Sequence, residues 1–338
     1  MEKRFVVAVS PSVRDSVSST KIMWGVLIAL IPSLAMSVYF FRLRAVAIVA
    51  VSSITAVGME ALFQKITHRR VTITDGSALI TGVLLAYNLP PGAPFWVAVV
   101  GSGFAIIVAK QLFGGLGYNF INPALAGRAF LMASWPGIMT HRWMATARGV
   151  MSGIDAVTSA TPLGTLREAT RILGDPLSAT DQIETARMAI EQLSSSSSIF
   201  NLFWGNVGGC IGETSALMLL IGASYLLIKK YIDWRIPLSY VSTVAVLSWA
   251  VPTGATPLFH VLSGGLVLGA FYMATDPVTS PITSKGRWVF GLGCGVITFV
   301  IRKWGGYPEG VSYSILLMNC ATPLLDKFTR PRRYGELK

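Results

Sequence analysis

Ten apolar runs constrain this chain more than any other feature of its sequence. A helix needs about 20 apolar residues to cross the hydrocarbon of a bilayer, with a range of about 17–25. The candidate segments are residues 22–41, 45–64, 77–90, 94–113, 122–135, 213–229, 236–252, 258–275, 287–302 and 310–326. The third and fifth segments are short and bounded by Gly or Pro, which is tolerated at membrane depth only inside a protein. We therefore predict an all-α polytopic membrane protein with about ten transmembrane helices.

Composition and charge agree with this topology. The 338 residues are 52% hydrophobic and 13% charged, whereas soluble proteins carry about 25% charged residues. With ten spans, 18 of the 28 Lys and Arg lie on the side of the two termini and nine on the opposite side. The positive-inside rule then predicts that both termini are cytoplasmic. This topology and attraction to anionic lipids explain the net charge of +12. The basic residues are scattered over many short loops, which argues against nucleic-acid binding.

One long polar segment, residues 136–199, falls on the side opposite the termini. It has five Arg, six acidic residues and few large apolar side chains, so it must pack on the membrane helices or on partner subunits. Its end, Ser194 to Ser198, has the composition of a flexible run. We predict three regions: a first transmembrane half (1–135), an extracytoplasmic segment (136–205) and a second transmembrane half with a basic tail (206–338).

Glycines and prolines recur weakly between the two halves. At one constant offset Gly82, Pro90 and Pro94 match Gly269, Pro277 and Pro281, and at a slightly longer one Gly101, Gly103 and Gly115 match Gly291, Gly293 and Gly305. Five spans per half is an odd number, so the second copy would be inverted. Inverted repeats place binding sites near the bilayer midplane. The alternative is a chance alignment in a chain with 33 glycines.

Charged residues inside the apolar segments are the first candidates for function, because charges there are costly. For Arg128 we predict one of two roles. It either contacts an anionic or carbonyl group of a ligand, or it forms a structural ion pair. Glu60, Glu213 and Asp276 are candidates for a cation path, the alternative being protonated carboxyls that bond between helices. Lys110 lies at a segment end, where snorkelling to the interface explains it equally well. The sequence has no nucleotide-binding loop, His/Cys metal cluster or catalytic triad.

A hydroxyl-rich turn, Thr158-Ser159-Ala160-Thr161 followed by Pro162, interrupts the polar segment. A similar hexapeptide, Thr253-Gly254-Ala255-Thr256-Pro257-Leu258, links two apolar segments. From the residues alone, an ordinary Ser/Thr turn explains both copies.

Several stretches of the sequence resemble the RnfD/NqrB family of membrane subunits. They are "DGSALITGVLLAYNLPP", "FGGLGYNFINPALAGRAF", "GETSALMLLIG", "FYMATDPVTSP" and "GGYPEGVSYSILLMNCATPLLD", in order over most of the chain from about residue 75. The resemblance implies an electron-carrying subunit of an Rnf-type complex in a bacterial or archaeal cytoplasmic (inner) membrane. Such a complex couples electron transfer between ferredoxin and NAD to translocation of Na+ or H+, and its other subunits carry flavins and iron–sulfur clusters. The subunit is not expected to be active alone.

The resemblance also assigns a role to the hydroxyl-rich turn. In the family, a D-x-x-[ST]-G-A-T motif receives FMN on its last Thr through a phosphoester that a separate transferase installs. Here the motif comprises Asp155, Thr158, Ser159, Ala160 and Thr161, with Ser159 replacing the usual Gly. The second copy has Ala250 where the Asp should be. An ester needs an exposed hydroxyl on a flexible turn, so we expect Thr161 to be exposed and to carry FMN.

Two further expectations follow from the resemblance. A non-covalent riboflavin is implied within the membrane part, and Arg128 is a candidate flavin contact. The alternatives are an NqrB-like subunit of a Na+-translocating NADH:quinone reductase, and a channel or secondary transporter without covalent flavin. The second alternative rests on the repeat and on the buried carboxylates.

Overall fold

The computed structural model describes residues 17–143 and 161–331, and the regular structure of these residues is entirely helical. The helices are α1 (Ser19–Phe41), α2 (Leu43–Ile66), α3 (Ser77–Tyr87), α4 (Phe95–Ile106), α5 (Pro123–Ser134), α6 (Pro136–His141), α7 (Pro162–Gly174), α8 (Thr180–Ser194), α9 (Ser196–Trp204), α10 (Ala216–Ile228), α11 (Arg235–Ala250), α12 (Pro257–Leu262), α13 (Leu266–Leu268), α14 (Ser284–Trp304) and α15 (Val311–Thr329). A 3-10 turn covers Ile73–Asp75, and π turns cover Ile107–Gln111 and Gly269–Met273. The all-α prediction is confirmed for these residues.

Each of the ten apolar segments is helical over most of its length. By length and composition, α1 and α2 are able to cross a membrane, and α3, α10 and the continuous helix Phe95–Gln111 are shorter apolar helices. Large apolar side chains such as Ile54, Val246 and Trp249 are exposed on the helix surfaces. An apolar surface of this kind suits contact with lipid better than contact with water. The number of membrane-spanning helices stays a prediction.

The largest apolar core of the described residues contains side chains from both halves of the chain. In the first half α2 packs against α3 and α4, and α4 packs against α5. In the second half α11 packs against α12 and α14, and α14 packs against α15. The glycines that the sequence offset pairs have different neighbours in the two halves. A Cβ on Gly82 would meet Ser53 of α2, whereas one on Gly269 would meet Val311 of α15. The inverted repeat and the three-region division remain predictions.

The eighth apolar segment is not the continuous span that the sequence predicts. Its helix is broken between α12 and α13, where Gly264 and Gly265 have φ of +65° and +66°, a conformation that favours glycine. The Arg302 side chain donates hydrogen bonds to the freed carbonyl oxygens of His260, at 2.5 Å, and Ser263, at 3.0 Å. The side chain of Arg302 therefore supplies partners that the broken helix no longer provides for these carbonyl groups.

The polar segment rests on the membrane helices through a small apolar cluster of its own. Leu163 and Leu166 of α7 and Leu202 of α9 pack against Phe259 of α12. The run Ser194 to Ser198, predicted to be flexible, instead ends α8 and begins α9. Its Ser195 hydroxyl accepts a hydrogen bond from the Ser198 backbone N–H, because serine is a favoured helix N-cap. The apolar cluster of Leu163, Leu166, Leu202 and Phe259 fixes the start of α7 against α12.

Candidate functional site

Thr161 is the N-cap residue of α7. Its Oγ1 accepts a hydrogen bond from the Gly164 backbone N–H at 3.2 Å, and Pro162 occupies the first position of the helix. The expectation that the Thr161 hydroxyl is exposed is wrong, since Thr161 is only 9% exposed. The capping bond turns the side chain toward the helix, because an N-cap satisfies a backbone donor that has no partner within the helix.

The other residues of the predicted attachment motif lie outside the described residues. These are Asp155, Thr158, Ser159 and Ala160. The motif is therefore described structurally only at its last residue, Thr161.

A large cavity of about 700 Å³ opens beside Thr161. Residues of α5, α6, α7 and the loop before α15 form its walls. Its apolar lining includes Met132, Met139 and Trp143, which are buried. Pockets for drug-sized ligands and cofactors have volumes of about 300–1,000 Å³, so this cavity has the size of a cofactor site.

Two kinds of side chain give the cavity its chemical character. Arg128, Arg167 and Arg171 bring positive charge, and the acidic residues that line it are Glu168 and Glu309. The rings of Tyr307 and Tyr313 also line it and stack on each other, with centroids 5.5 Å apart and planes 22° apart. Arginines suit a phosphate group, and aromatic faces suit a flat ring system.

Arg128 is held in the cavity wall by a buried polar cluster. Its guanidinium donates to Asn88 Oδ1 at 2.5 Å and to Glu213 Oε1 at 3.3 Å, and it forms an ion pair with Glu309. Arg128 also lines the cavity beside Thr161. The structure thus brings Arg128 and Thr161 to one cavity, and it gives Arg128 the ion pair that was the alternative prediction.

The same cluster contains a group of ligand atoms suited to a metal ion. Atoms of Cys210, Glu213 and Glu309 lie within 4.8 Å of one another. The Arg128 guanidinium, however, already bonds both carboxylates. The arrangement is that of a buried ion pair, whose charge is compensated by the arginine.

Glu60 belongs to a different buried cluster. Its Oε2 lies 2.7 Å from Lys110 Nζ, and its Oε1 accepts hydrogen bonds from the side-chain amides of Gln64 and Gln111. Lys110 Nζ also donates to Ser77 Oγ at 2.6 Å. The prediction that Lys110 snorkels to the interface is wrong, since the residue is only 1% exposed. It stays inside the protein because the carboxylate of Glu60 is its partner there.

Asp276 lies nearer to this second cluster than to the first. Asp276 and Lys110 line one cavity of about 70 Å³, whose wall also contains Asn119 and Phe271. The Thr279 hydroxyl donates to Asp276 Oδ2 at 3.1 Å. The three carboxylates predicted for a cation path are therefore divided, with Glu60 and Asp276 around Lys110 and Glu213 beside Arg128.

The second hydroxyl-rich turn has the same local structure as the first. Thr256 is the N-cap of α12, its Oγ1 accepts from the Phe259 backbone N–H at 3.3 Å, and Pro257 follows it. Thr256 does not line the cavity beside Thr161. The two copies differ in surroundings and not in backbone conformation.

Sequence reasoning missed several residues that line the cavity beside Thr161. Arg167 and Arg171 are four residues apart on α7, a spacing that places side chains on one face of a helix and was visible in the sequence. Glu309, Tyr307 and Tyr313 reach the site only through tertiary packing. Their positions far along the chain gave no local signal.

Comparison with known proteins places the chain among membrane oxidoreductase subunits. It is 49% identical to the D subunit of the Na(+)-translocating ferredoxin:NAD(+) oxidoreductase complex of Acetobacterium woodii, over all of this chain and 97% of the relative. It is 45% identical to the D subunit of the proton-translocating ferredoxin:NAD(+) oxidoreductase complex of Clostridium ljungdahlii, over 98% of this chain and 96% of the relative. It is 39% identical to the D subunit of the ion-translocating oxidoreductase complex of Stutzerimonas stutzeri, over 96% of this chain and 93% of the relative.

The family profile gives the same result over nearly the whole chain. The profile of the NQR2, RnfD, RnfE family matches residues 6–335. This range includes every segment that carries the resemblance and both buried clusters. The chain belongs to the NQR2, RnfD, RnfE family.

Proposed function

We propose that this chain is the RnfD-type subunit of an ion-translocating ferredoxin:NAD oxidoreductase complex and carries FMN on Thr161. The names of the relatives from Acetobacterium woodii and Clostridium ljungdahlii support the assignment to such a complex. The observation that carries the flavin proposal is the position of Thr161, whose capped hydroxyl borders a cavity of about 700 Å³. The complex resides in a bacterial or archaeal cytoplasmic membrane, and its other subunits hold iron–sulfur clusters and further flavin.

The residues around Thr161 fit the phosphate end of FMN. A phosphoester oxygen keeps lone pairs, so the bond from the Gly164 N–H is compatible with attachment at Oγ1. The positive end of α7, a helix of 13 residues, favours a phosphate at this position. Arg167 and Arg171, on the following turns of α7, bring further positive charge to the cavity.

The rest of the cavity fits the flavin ring system. Tyr307, Tyr313 and Trp143 offer aromatic faces and edges, and Met132 and Met139 offer apolar surface. Arg128 would donate to a ring carbonyl of FMN, and Glu309 and Asn88 hold its guanidinium in position. FMN supplies one-electron transfer between the cofactors of partner subunits, and the surrounding residues orient it and tune its potential.

The riboflavin proposal has weaker structural support. The cavity between Lys110, Asn119 and Asp276 is apolar over much of its wall, and Asn119 Oδ1 is buried without a described hydrogen-bond partner. Its volume of about 70 Å³ is well below that of a cofactor pocket. Riboflavin at this position therefore requires its lining side chains to move apart.

Asp276 is the carboxylate that we propose for a cation path. Glu60 and Glu213 each bond a basic side chain, whereas Asp276 accepts from the neutral Thr279 hydroxyl. The relatives from Acetobacterium woodii and Clostridium ljungdahlii are named for different coupling ions, so the test varies both Na+ and pH. We expect Asp276→Asn to slow ferredoxin-driven NAD reduction and raise the Na+ or H+ concentration needed, with flavin still attached. If the Asp276→Asn variant depends on Na+ and pH as the wild type does, the proposal that Asp276 lies on the cation path is contradicted.

In-gel fluorescence tests the flavin proposal. The complex is purified from cells that contain the transferase, denatured, and separated on a gel under ultraviolet light. We expect fluorescence at the mobility of this chain, with none after Thr161→Ala. A dark wild-type band would contradict covalent attachment and favour a channel or transporter, since only covalent flavin survives denaturation.

A further inference from the structure

A second cavity, of about 370 Å³, lies beside α7, and the proposed function does not use it. Leu163 and Leu166 line it from α7, and Thr253 of the second hydroxyl-rich turn lines it from the other side. Arg167 and Arg171 border both this cavity and the cavity beside Thr161. The helix α7 thus separates two cavities, each bordered by one copy of the hydroxyl-rich turn.

The second cavity is strongly cationic. Its lining includes Arg167, Arg171, Arg302 and Lys303, and the described lining contains neither Asp nor Glu. The partners of these side chains are mainly neutral carbonyls: Arg302 donates to the backbone oxygens of His260, Ser263 and Glu309, and Lys303 donates to that of Pro252 at 2.9 Å. Carbonyl groups orient a cation without neutralising it. An anion in the cavity would supply a charged partner that the described lining does not provide.

A buried ring nitrogen without a described partner belongs to a residue that lines the same cavity. His260 lines the cavity, is 4% exposed, and its Nδ1 is without a hydrogen-bond partner among the described residues. Its Nε2 lies 2.8 Å from Thr253 Oγ1. The Thr253 hydroxyl also lies 3.3 Å from the Ala255 carbonyl oxygen. An anion in the cavity would favour the tautomer in which this hydroxyl donates to Nε2 and the ring proton is on Nδ1, which is then a donor for the anion. This arrangement gives the cavity a neutral donor in addition to its cations.

The position of the cavity indicates where the anion comes from. Helices α11 and α14 run parallel, since Gly291 packs against Ser239 and Gly295 against Thr243. Both helices end in an exposed tryptophan, Trp249 at 79% and Trp304 at 67% exposure. Exposed tryptophans at helix ends are typical of the membrane–water interface, where phospholipid phosphates lie.

We propose that this cavity binds the phosphate group of an anionic phospholipid, with Lys303 and His260 as its donors. The lipid headgroup would brace α7 against α12 and α14, and so support the wall shared with the cavity beside Thr161. The proposal does not depend on flavin attachment, because Lys303, His260 and Thr253 do not line that other cavity.

Lipid analysis of the purified complex tests the proposal. The complex is washed in detergent, and the phospholipids that remain are extracted and quantified by mass spectrometry. We expect Lys303→Glu to reduce the retained anionic phospholipid several-fold, and Lys303→Gln to reduce it less. The matched control is Lys285→Glu, which reverses the same charge at the opposite end of α14. Equal retention in wild type and both Lys303 variants would overturn the proposal.

Add-back to the delipidated complex distinguishes the sources of phosphate. We expect vesicles of phosphatidylglycerol to raise the Tm of wild type but to have little effect on Lys303→Gln. Phosphatidylcholine vesicles and millimolar inorganic phosphate should give smaller shifts. Stabilisation by inorganic phosphate alone, or by neither lipid, would overturn the assignment to an anionic phospholipid. In-gel flavin fluorescence of each variant reports separately on the cavity beside Thr161.

Discussion

The turns at Thr161 and Thr256 have the same local structure and different surroundings. Thr161 has φ of −65° and ψ of 150°, and Thr256 has φ of −68° and ψ of 151°, each as an N-cap followed by proline. Thr161 begins a helix of 13 residues beside a cavity of about 700 Å³. Thr256 begins a helix of six residues that leads into the break at Gly264. Both turns therefore begin a helix, but of the two N-cap threonines only Thr161 lines one of the two cavities beside α7 described above.

The largest expected effect separates the two threonines directly. Thr161→Ala should remove all covalent flavin, whereas Thr256→Ala should leave the wild-type amount. Both variants lose an N-cap, at a cost of about 0.5–2 kcal/mol each, so Thr256→Ala controls for the structural part of the change. The measurement is flavin fluorescence per chain after denaturation. Equal loss in the two variants would mean that the cap, and not the hydroxyl as attachment point, accounts for the effect.

A second expected effect compares the charges beside the two turns. Arg128→Gln should destabilise the complex by about 3–5 kcal/mol, because it leaves Glu213 and Glu309 without their cation. Lys303→Gln, at an exposed position beside the other cavity, should change stability by about 0.5 kcal/mol or less in delipidated detergent.

Thermal unfolding of the purified complex provides the comparison between these variants. Adding Glu309→Gln to Arg128→Gln should recover part of the loss, since it removes one of the two uncompensated carboxylates. No difference between the Arg128 and Lys303 single variants would show that the buried cluster does not stabilise this wall.

The smallest expected effect is that the second turn does not acquire covalent flavin when its missing acidic residue is supplied. In a Thr161→Ala background, Ala250→Asp restores the acidic residue that the second copy lacks. We expect the denatured chain to remain dark, because Thr256 borders neither of the two cavities next to α7. Fluorescence in this double variant would show that sequence and not surroundings selects the attachment site.

The sequence allowed the apolar helices to be predicted because long apolar runs leave few other structures possible. It did not predict α7, α8 and α9, since the polar segment was expected to be an extracytoplasmic loop. It did not predict the break at Ser263-Gly264-Gly265, although two adjacent glycines were a local signal for it. The sequence did not allow the partners of the buried charges to be predicted. Lys110 and Glu60 are 50 residues apart along the chain, and Arg128 and Glu309 are 181 residues apart. Contacts of that range depend on how the helices pack, which periodicity does not specify.

The residue proposed to carry FMN was predicted in another way. Thr161 and Thr256 lie in similar hydroxyl-rich turns. The resemblance to a known family distinguished them by Asp155, and their locations distinguished them further, since Thr161 lies in the long polar segment and Thr256 in a short link between two apolar segments. The capping bond of Thr161 was predictable from the order Thr-Pro at a helix start. Its burial was not, because burial depends on the packing of α7 against α12.

Peptide mass mapping of the wild-type chain tests most directly whether Thr161 carries FMN. The chain is purified with its complex, digested, and its peptides are fragmented to locate any added mass. We expect the peptide that contains residues 155–166 to carry the mass of one FMN less one water, located at Thr161, and the peptide that contains residues 253–258 to be unmodified. FMN on Thr256, or on neither peptide, would contradict the assignment.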